Sequence, residues 1–177
     1  MDEKPLGKKP KAAGAKRIAL LGILFALAMV LSIVEGFIPV PVPVPGVRLG
    51  LANIVVMFAL LQLGRRDALG LTLLKAGFVA VTRGAMAGAL SLAGGSLAFC
   101  VMALVLALDK DKTSYLLLSV SGAVFHNIGQ ILMASLILRT FLWPYFPVLL
   151  LSGIATGFAT SVLLKLTAPA LQRLHLK

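Results

Sequence analysis

The sequence predicts an all-α, polytopic membrane protein with six transmembrane helices. Of the 177 residues, 59% are hydrophobic and only six are acidic, and the mean hydropathy is +1.01. Charged residues and prolines separate several long apolar runs, as in a helical membrane bundle. The net charge of +11 does not indicate nucleic-acid binding, because the basic residues are scattered between apolar runs and do not form one soluble face.

The apolar runs define six candidate membrane segments: 18–38, 49–63, 68–82, 91–108, 113–138 and 145–164. The second and third are short, at about 22 Å of helix against a hydrocarbon core of roughly 30 Å. We expect them to extend into their flanks or to be covered by protein. The start of the fourth segment is open, because Gly84 and Gly88 suit either a loop or a helix.

The first segment follows a basic tail, residues 1–17, with six Lys and Arg residues. This arrangement resembles a secretory signal, but a cleavable signal needs a site of small residues. Here Glu35, Gly36, Phe37 and Ile38 follow, and then a proline run. The pattern therefore predicts a retained first membrane helix.

The distribution of basic residues predicts the orientation. With the N-terminus inside, thirteen of the seventeen Lys and Arg residues lie in the tails and inner loops, as the positive-inside rule requires. We expect a multi-pass protein of a bacterial cell membrane with both termini in the cytoplasm. Its parts are the tail 1–17, a six-helix domain 18–164 and a C-terminal tail 165–177.

Each predicted outer loop carries one basic residue, and it is always arginine: Arg48, Arg83 and Arg139. Guanidinium groups suit carboxylate or phosphate because their planar fork donates two parallel hydrogen bonds. The three arginines either converge on an anion or contact lipid headgroups. The first outer loop also contains alternating prolines and valines over residues 39–46, which predicts a stiff extended segment that is either a flap over a ligand or a connector.

The fifth segment contains the polar cluster His126, Asn127 and Gln130 within an uncharged run. Polar side chains at such depth face protein, water or a ligand. Two interpretations remain open, contact with a ligand and hydrogen bonds that hold helices together. No carboxylate in the same segment is available to His126, so acid-base catalysis is disfavoured.

Three further polar residues are candidate binding residues. Glu35 is the only acidic residue on the predicted outer side, which suggests pairing with one of the outer arginines. Asn53 follows Arg48 closely and is expected to meet an outer cavity. Lys75 lies within a span and either pairs inside the bundle or extends along its own chain to the interface.

Small residues at i and i+4 occur twice, as Gly22 with Ala26 and as Gly153 with Gly157. Such pairs allow close helix packing. The single cysteine, Cys100, rules out an internal disulfide, and with only two His residues we expect no metal site and no cofactor.

The proline-rich first loop and four later motifs resemble a known family. The motifs are PGVRLGLANIV, SLAGGSLAF, GAVFHNIGQ and PVLLLSGIATG. Over about residues 17–165 they are similar to the family labelled heptaprenyl diphosphate synthase component I. That family is grouped with the Gx transporters, relatives of the S-components of energy-coupling factor (ECF) vitamin transporters.

The resemblance implies an S-component-like fold of six helices with both termini in the cytoplasm. It implies a substrate site near the outer face, under the loops that carry the three arginines. It also implies that Gly22 and Ala26 of the first helix dock on an energising module.

The sequence thus supports a substrate-binding transporter subunit that captures a small anionic or amphipathic molecule. The alternative is a non-catalytic membrane subunit that assists a separate prenyl synthase catalytic subunit. Catalysis by this chain alone is not expected, because its only aspartate cluster, Asp109 and Asp111 with Lys110 and Lys112, is a poor Mg²⁺ site. No phosphate-binding loop of the GxxxxGK[ST] type occurs, so the sequence has no nucleotide site of that type. A third interpretation is a membrane scaffold whose features serve only assembly.

Overall fold

The computed structural model describes residues 14–38, 46–108 and 114–175, with side chains up to Leu166. This part of the chain forms six α-helices: α1 Gly14–Val34, α2 Asn53–Gln62, α3 Arg65–Arg83, α4 Ala85–Leu108, α5 Tyr115–Leu138 and α6 Phe146–His175. Short 3-10 turns, Glu35–Phe37 and Trp143–Tyr145, follow α1 and precede α6. The all-α fold class is confirmed. The prolines 39–45, the aspartates at 109 and 111 and most of the basic tail lie outside the described residues.

Four helices are long and apolar enough to cross a membrane. They are α1 with its 3-10 turn, α4, α5 and α6 with its preceding turn, and each such span has 24 residues. A helix of that length reaches about 36 Å, which exceeds the roughly 30 Å of a hydrocarbon core. Their outward faces are apolar, with Leu136 and Leu151 more than two-thirds exposed, as lipid contact requires.

The short helix α2 lies at the centre of the bundle. Seven of its ten residues are buried, and it contacts all five other helices. Val55, Phe58 and Leu60 form the main apolar core with residues of the surrounding helices. The expectation that this short segment is covered by protein is confirmed.

The helix α2 begins later than predicted, because residues 47–50 are not helical. Gly46 and Gly50 have φ angles of +90° and +87°, values that favour glycine. The chain therefore enters the bundle in a non-helical form before α2 starts. Such backbone is tolerated at membrane depth only where protein supplies its hydrogen-bond partners.

Helices α3 and α4 are joined by one residue, Gly84. The uncertain region is thus settled: Gly88 belongs to α4, and Arg83 is the last residue of α3 and not part of a loop. Helix α3 begins at Arg65, and α6 continues to His175, so both helices are longer than the apolar runs predicted.

Glycines set the closest approaches between the later helices. A Cβ atom at Gly157 would lie 2.6 Å from Cα of Val120, and one at Gly129 would lie 2.8 Å from the carbonyl oxygen of Ala93. Helix α5 therefore packs closely on both α4 and α6. The prediction that Gly153 and Gly157 form a close-packing face is confirmed.

The face of α1 that is predicted to dock on another protein is not covered by the other described helices. Gly22 and Ala26 are exposed, and a Cβ atom at Gly22 would meet nothing within 4 Å. Contact of this face with another protein stays a prediction.

An ion pair fixes the start of α1 beside the start of α3. Nε and Nη2 of Arg17 donate to the two carboxylate oxygens of Asp67 at 3.0 and 2.7 Å. Because α3 to α6 alternate in direction, the end of α6 lies at this same end of the bundle. We call it the Asp67 end, and the opposite end, where α1 and α3 finish, the Glu35 end.

Candidate functional site

A small charged cavity lies toward the Glu35 end of the bundle. Six of the nine side chains predicted as binding residues line it: Glu35, Arg48, Lys75, Arg83, His126 and Gln130. They come from the 3-10 turn after α1, the non-helical segment 46–52, α3 and α5, while α4 contributes Ala87 and Ser91. The cavity volume is about 20 Å³, enough for about one or two water molecules.

Gln130 of α5 anchors the non-helical segment by its backbone. The Oε1 atom accepts from the N–H of Arg48 at 2.8 Å, and Nε2 donates to the carbonyl of Arg48 at 3.1 Å. Both backbone groups of Arg48 thereby have hydrogen-bond partners within the protein, as buried backbone groups require. The two bonds also determine which end of the amide is nitrogen.

That assignment determines the state of His126. Its Nε2 lies 2.5 Å from Nε2 of Gln130, and an amide nitrogen can only donate. His126 Nε2 therefore accepts in this arrangement, and Nδ1 is buried without a hydrogen-bond partner among the described residues. Nδ1 lies against the backbone of Gly94 in α4, where a Cβ atom would come within 2.7 Å of it. His126 lines the cavity, and its ring packs between Gln130 of its own helix and Gly94 of α4.

Asn127 points away from the cavity. Its Nδ2 donates to the carbonyl of Leu149 in α6 at 2.7 Å, and a Cβ atom at Gly153 would lie 2.9 Å from that nitrogen. The polar cluster of α5 thus divides. His126 and Gln130 line the cavity, and Asn127 holds α5 to α6.

Glu35 is buried, at 3% exposure. Its carboxylate accepts from the backbone N–H of Gly50, so it holds the second point of the non-helical segment. The expected ion pair with an outer arginine is not formed within 4 Å among the described residues. The carboxylate interacts electrostatically with three nearby cations, Lys75, Arg48 and Arg83.

Arg48 and Arg83 both bind the end of α1. Nη1 of Arg48 donates to the carbonyls of Glu35 and Gly36 at 3.3 and 3.2 Å, and Nη2 of Arg83 donates to the carbonyl of Ser32. These carbonyls lie at the negative end of the helix dipole, where cations are favourable. Both guanidinium groups lie near Gly36, where a Cβ atom would be 3.4 Å from Arg83 Nη2 and 4.0 Å from Arg48 Nη2.

Arg139 does not line this cavity. It is exposed and ends α5 in a left-handed conformation with φ 50°. Two of the three predicted arginines therefore converge, and the third lies apart from them.

Lys75 pairs inside the bundle. It is 3% exposed, and its Nζ donates to Oδ1 of Asn53 at 2.5 Å. The alternative, an extended side chain that reaches the interface, is wrong. Asn53 also lines a second, smaller cavity, together with Ser119, Thr156 and Thr160.

Sequence reasoning missed several contributors to these sites. Gly50 supplies the N–H that binds Glu35, and Thr160 donates to Ser119 at 3.1 Å beside the second cavity. The single glycine of the segment LGLAN, residues 49–53, was a signal, because a glycine ahead of a helix often marks a special backbone angle. Hydroxyl groups in α6 gave no comparable signal.

The chain matches a known family model. The model described as heptaprenyl diphosphate synthase component I matches residues 24–167, a range that includes every residue of the cavity. Comparisons with curated proteins and with solved structures gave no match. Since the match covers most of the chain, this protein belongs to the heptaprenyl diphosphate synthase component I family.

Proposed function

We propose that this chain is a membrane-embedded substrate-binding subunit, similar to an ECF S-component, that captures a small anionic or amphipathic molecule. One observation carries the proposal: Arg48, Lys75 and Arg83 surround a cavity to which, among the described residues, only Glu35 brings a negative charge. Ionisable groups inside a membrane bundle mark binding sites by default, because their burial is costly. An excess of cationic donors selects an anion.

The proposed topology has six membrane passes, with the Asp67 end in the cytoplasm and the cavity toward the outer face. The positive-inside distribution supports this orientation. So does the antiparallel order of the helices, which brings the start of α1 and the end of α6 to the same end. Helix α3, with 19 residues, reaches about 28 Å and covers the central α2.

Ligand entry requires the cavity to enlarge. Its present volume of about 20 Å³ admits water but not a substrate of many atoms. The segment 46–50 is the element we expect to move. It has no helical hydrogen bonds of its own, and Gln130 and Glu35 hold it by three side-chain bonds.

A binding measurement tests the proposal. The full chain in lipid nanodiscs would be titrated by calorimetry with candidate anions and anionic amphiphiles. Arg48→Gln and Arg83→Gln are expected to weaken a measured affinity, and Arg139→Gln, which removes the same charge outside the cavity, is the matched control. If both cavity variants bind as the parent protein does, the proposed site is wrong.

A second candidate function follows from the family description: a non-catalytic membrane subunit that assists a separate catalytic subunit in heptaprenyl diphosphate synthesis. An apolar groove of about 170 Å³ between α1, α2 and α6, lined by Leu24, Leu27, Leu31 and Phe58 among others, favours it as a place for an isoprenoid chain. Within the described residues, no group of three His, Cys, Asp or Glu could hold a metal ion. In this proposal catalysis belongs to the separate subunit, because the family description names this protein as one component of the synthase.

Co-expression discriminates the two functions. If the chain copurifies with a prenyl synthase subunit and raises its product yield in membranes, the second function gains. If it copurifies instead with an ATP-driven membrane module through the open face of α1, the result supports the substrate-binding function. The substitution Gly22→Leu on that face is expected to weaken whichever association is found, since bulk on a small-residue face prevents close helix contact.

A further inference from the structure

The charges around the cavity do not balance. Four charged side chains line it, Glu35, Arg48, Lys75 and Arg83, so their formal sum is two positive charges. His126 adds none, because its Nε2 accepts a hydrogen bond. The contributions of α4 and of the non-helical segment, apart from Arg48, are uncharged: Gly46, Gly50, Ala52, Ala87 and Ser91.

We infer that this site takes a group carrying two negative charges, of the phosphate type. The inference rests on the proposed function, since it assumes that the cavity binds an anion, and it adds the valence of that anion. A group with one negative charge would leave one formal positive charge that only the carbonyls at the end of α1 offset. A group with three would leave an excess negative charge near Glu35.

The charge of the bound anion is important because the charged side chains around the cavity are buried or partly buried. Lys75 and Glu35 are each 3% exposed, and Arg48 and Arg83 are partly buried. Unbalanced charge in such surroundings is much less screened than in water. Both guanidinium groups also lie near Gly36, and no described carboxylate lies within 4 Å of either.

Donors remain available for oxygen atoms. In the described part of the chain, Arg48 uses Nη1 for two carbonyls, while its Nε is buried without a partner. Arg83 uses Nη2 for one carbonyl. Each guanidinium carries five N–H donors in a planar fork, a geometry that fits phosphate oxygens. A spherical ion such as chloride would not use the fork.

The same chemistry has two sources, free phosphate from the aqueous phase and the phosphate headgroup of a lipid. Either enters only if the segment 46–50 moves outward, because the present cavity holds about 20 Å³. The two sources are separated by where the phosphate is supplied.

The test uses the full chain in phosphatidylcholine nanodiscs and compares inorganic phosphate and sulfate with nitrate and chloride at equal ionic strength. Calorimetry and the thermal unfolding midpoint give the affinities. We expect the divalent anions to bind about tenfold more tightly than the monovalent ones, or better. In a second arm the nanodiscs contain phosphatidic acid. If stabilisation occurs only in that arm, the source is the lipid, and the inference is overturned unless Arg83→Gln abolishes that stabilisation and Arg83→Lys retains it.

Charge variants make the test specific. Glu35→Gln raises the cavity charge to three yet keeps an oxygen to accept from Gly50, so we expect divalent anions to bind more tightly. Arg83→Gln lowers the charge to one and should abolish the preference for divalent anions. Arg83→Lys keeps the charge and should keep the preference, and Arg139→Gln is the exposed control. The readout is the ratio of the affinity for sulfate to the affinity for nitrate within each variant. A partial loss of folded protein lowers both signals and leaves this ratio unchanged.

Three outcomes decide the matter. A higher divalent affinity that Arg83→Gln removes and Arg83→Lys retains supports the inference. Equal affinity for nitrate and sulfate, or a ratio that Arg83→Gln leaves unchanged, overturns the inference but leaves an anion site in place. If the folded chain binds no anion in either arm, the proposed function fails together with it.

Discussion

Gln130 holds Arg48 by its backbone and not by its charge. The amide makes two hydrogen bonds, at 2.8 and 3.1 Å, with the N–H and C=O of a residue 82 positions away. The guanidinium of Arg48 is left free to turn toward the end of α1. Helix α5 therefore determines where the cationic group sits without contacting it.

Replacing Gln130 by methionine tests this anchor. The substitution Gln130→Met keeps similar bulk but leaves both backbone groups of Arg48 unpaired in a buried place. We expect the free energy of unfolding to fall by about 2–6 kcal/mol, since each of the two buried unsatisfied groups costs about 1–3 kcal/mol. Ser121→Ala is the control, because Ser121 bonds only to a carbonyl of its own helix. Equal stability of the two variants in detergent unfolding would contradict the anchor.

The contact of α4 with His126 predicts a strict requirement for glycine at position 94. A Cβ atom there would lie 2.7 Å from both Nδ1 and the carbonyl oxygen of His126. We expect Gly94→Ala to lower the free energy of unfolding by about 1–3 kcal/mol through overpacking. Gly77→Ala on α3, where nothing lies within 4 Å, should not destabilise. The requirement does not exist if thermal unfolding shows the two variants to be alike.

The buried pair of Lys75 and Asn53 is suited to a double-mutant cycle. Asn53→Leu leaves the ammonium group of Lys75 without its 2.5 Å partner, and Lys75→Met leaves the amide oxygen unpaired. We expect each single variant to be destabilised, and the double variant to lose less than the sum of the two. The coupling should be about 0.5–3 kcal/mol. Strict additivity in chemical unfolding would show that the pair does not interact.

Asn127 and Gln130, which lie one helical turn apart on α5, should have different roles: Asn127 in stability and Gln130 in anion binding. Because Asn127 bonds to Leu149 of α6 and does not line the cavity, Asn127→Ala should lower the thermal unfolding midpoint while any measured anion affinity stays unchanged. Gln130→Glu should instead weaken anion binding, since it adds a negative charge to the cavity wall. A loss of affinity in Asn127→Ala comparable to that in Gln130→Glu would place Asn127 in the site.

Much of the fold was predictable because membrane helices leave local signals. Apolar runs located all six helices, with the largest errors where a helix extends past its apolar run, before residue 91 in α4 and beyond residue 164 in α6. The late start of α2 was not predictable from hydropathy. Residues 49–52 are as apolar as the helix that follows, and only the partners Gln130 and Glu35 make a non-helical backbone tolerable there.

The sequence by itself determined that this is a helical membrane protein, which family it resembles and which charged residues lie in unusual places, because hydrophobicity and charge are properties of each residue. The tertiary structure decided what those residues do. It brought Arg48 and Arg83 together at the end of α1 and left Arg139 outside. It also directed His126 and Asn127, adjacent in the chain, toward different helices. The reason is geometric: successive side chains on a helix point about 100° apart, so their partners depend on how each helix is rotated against its neighbours.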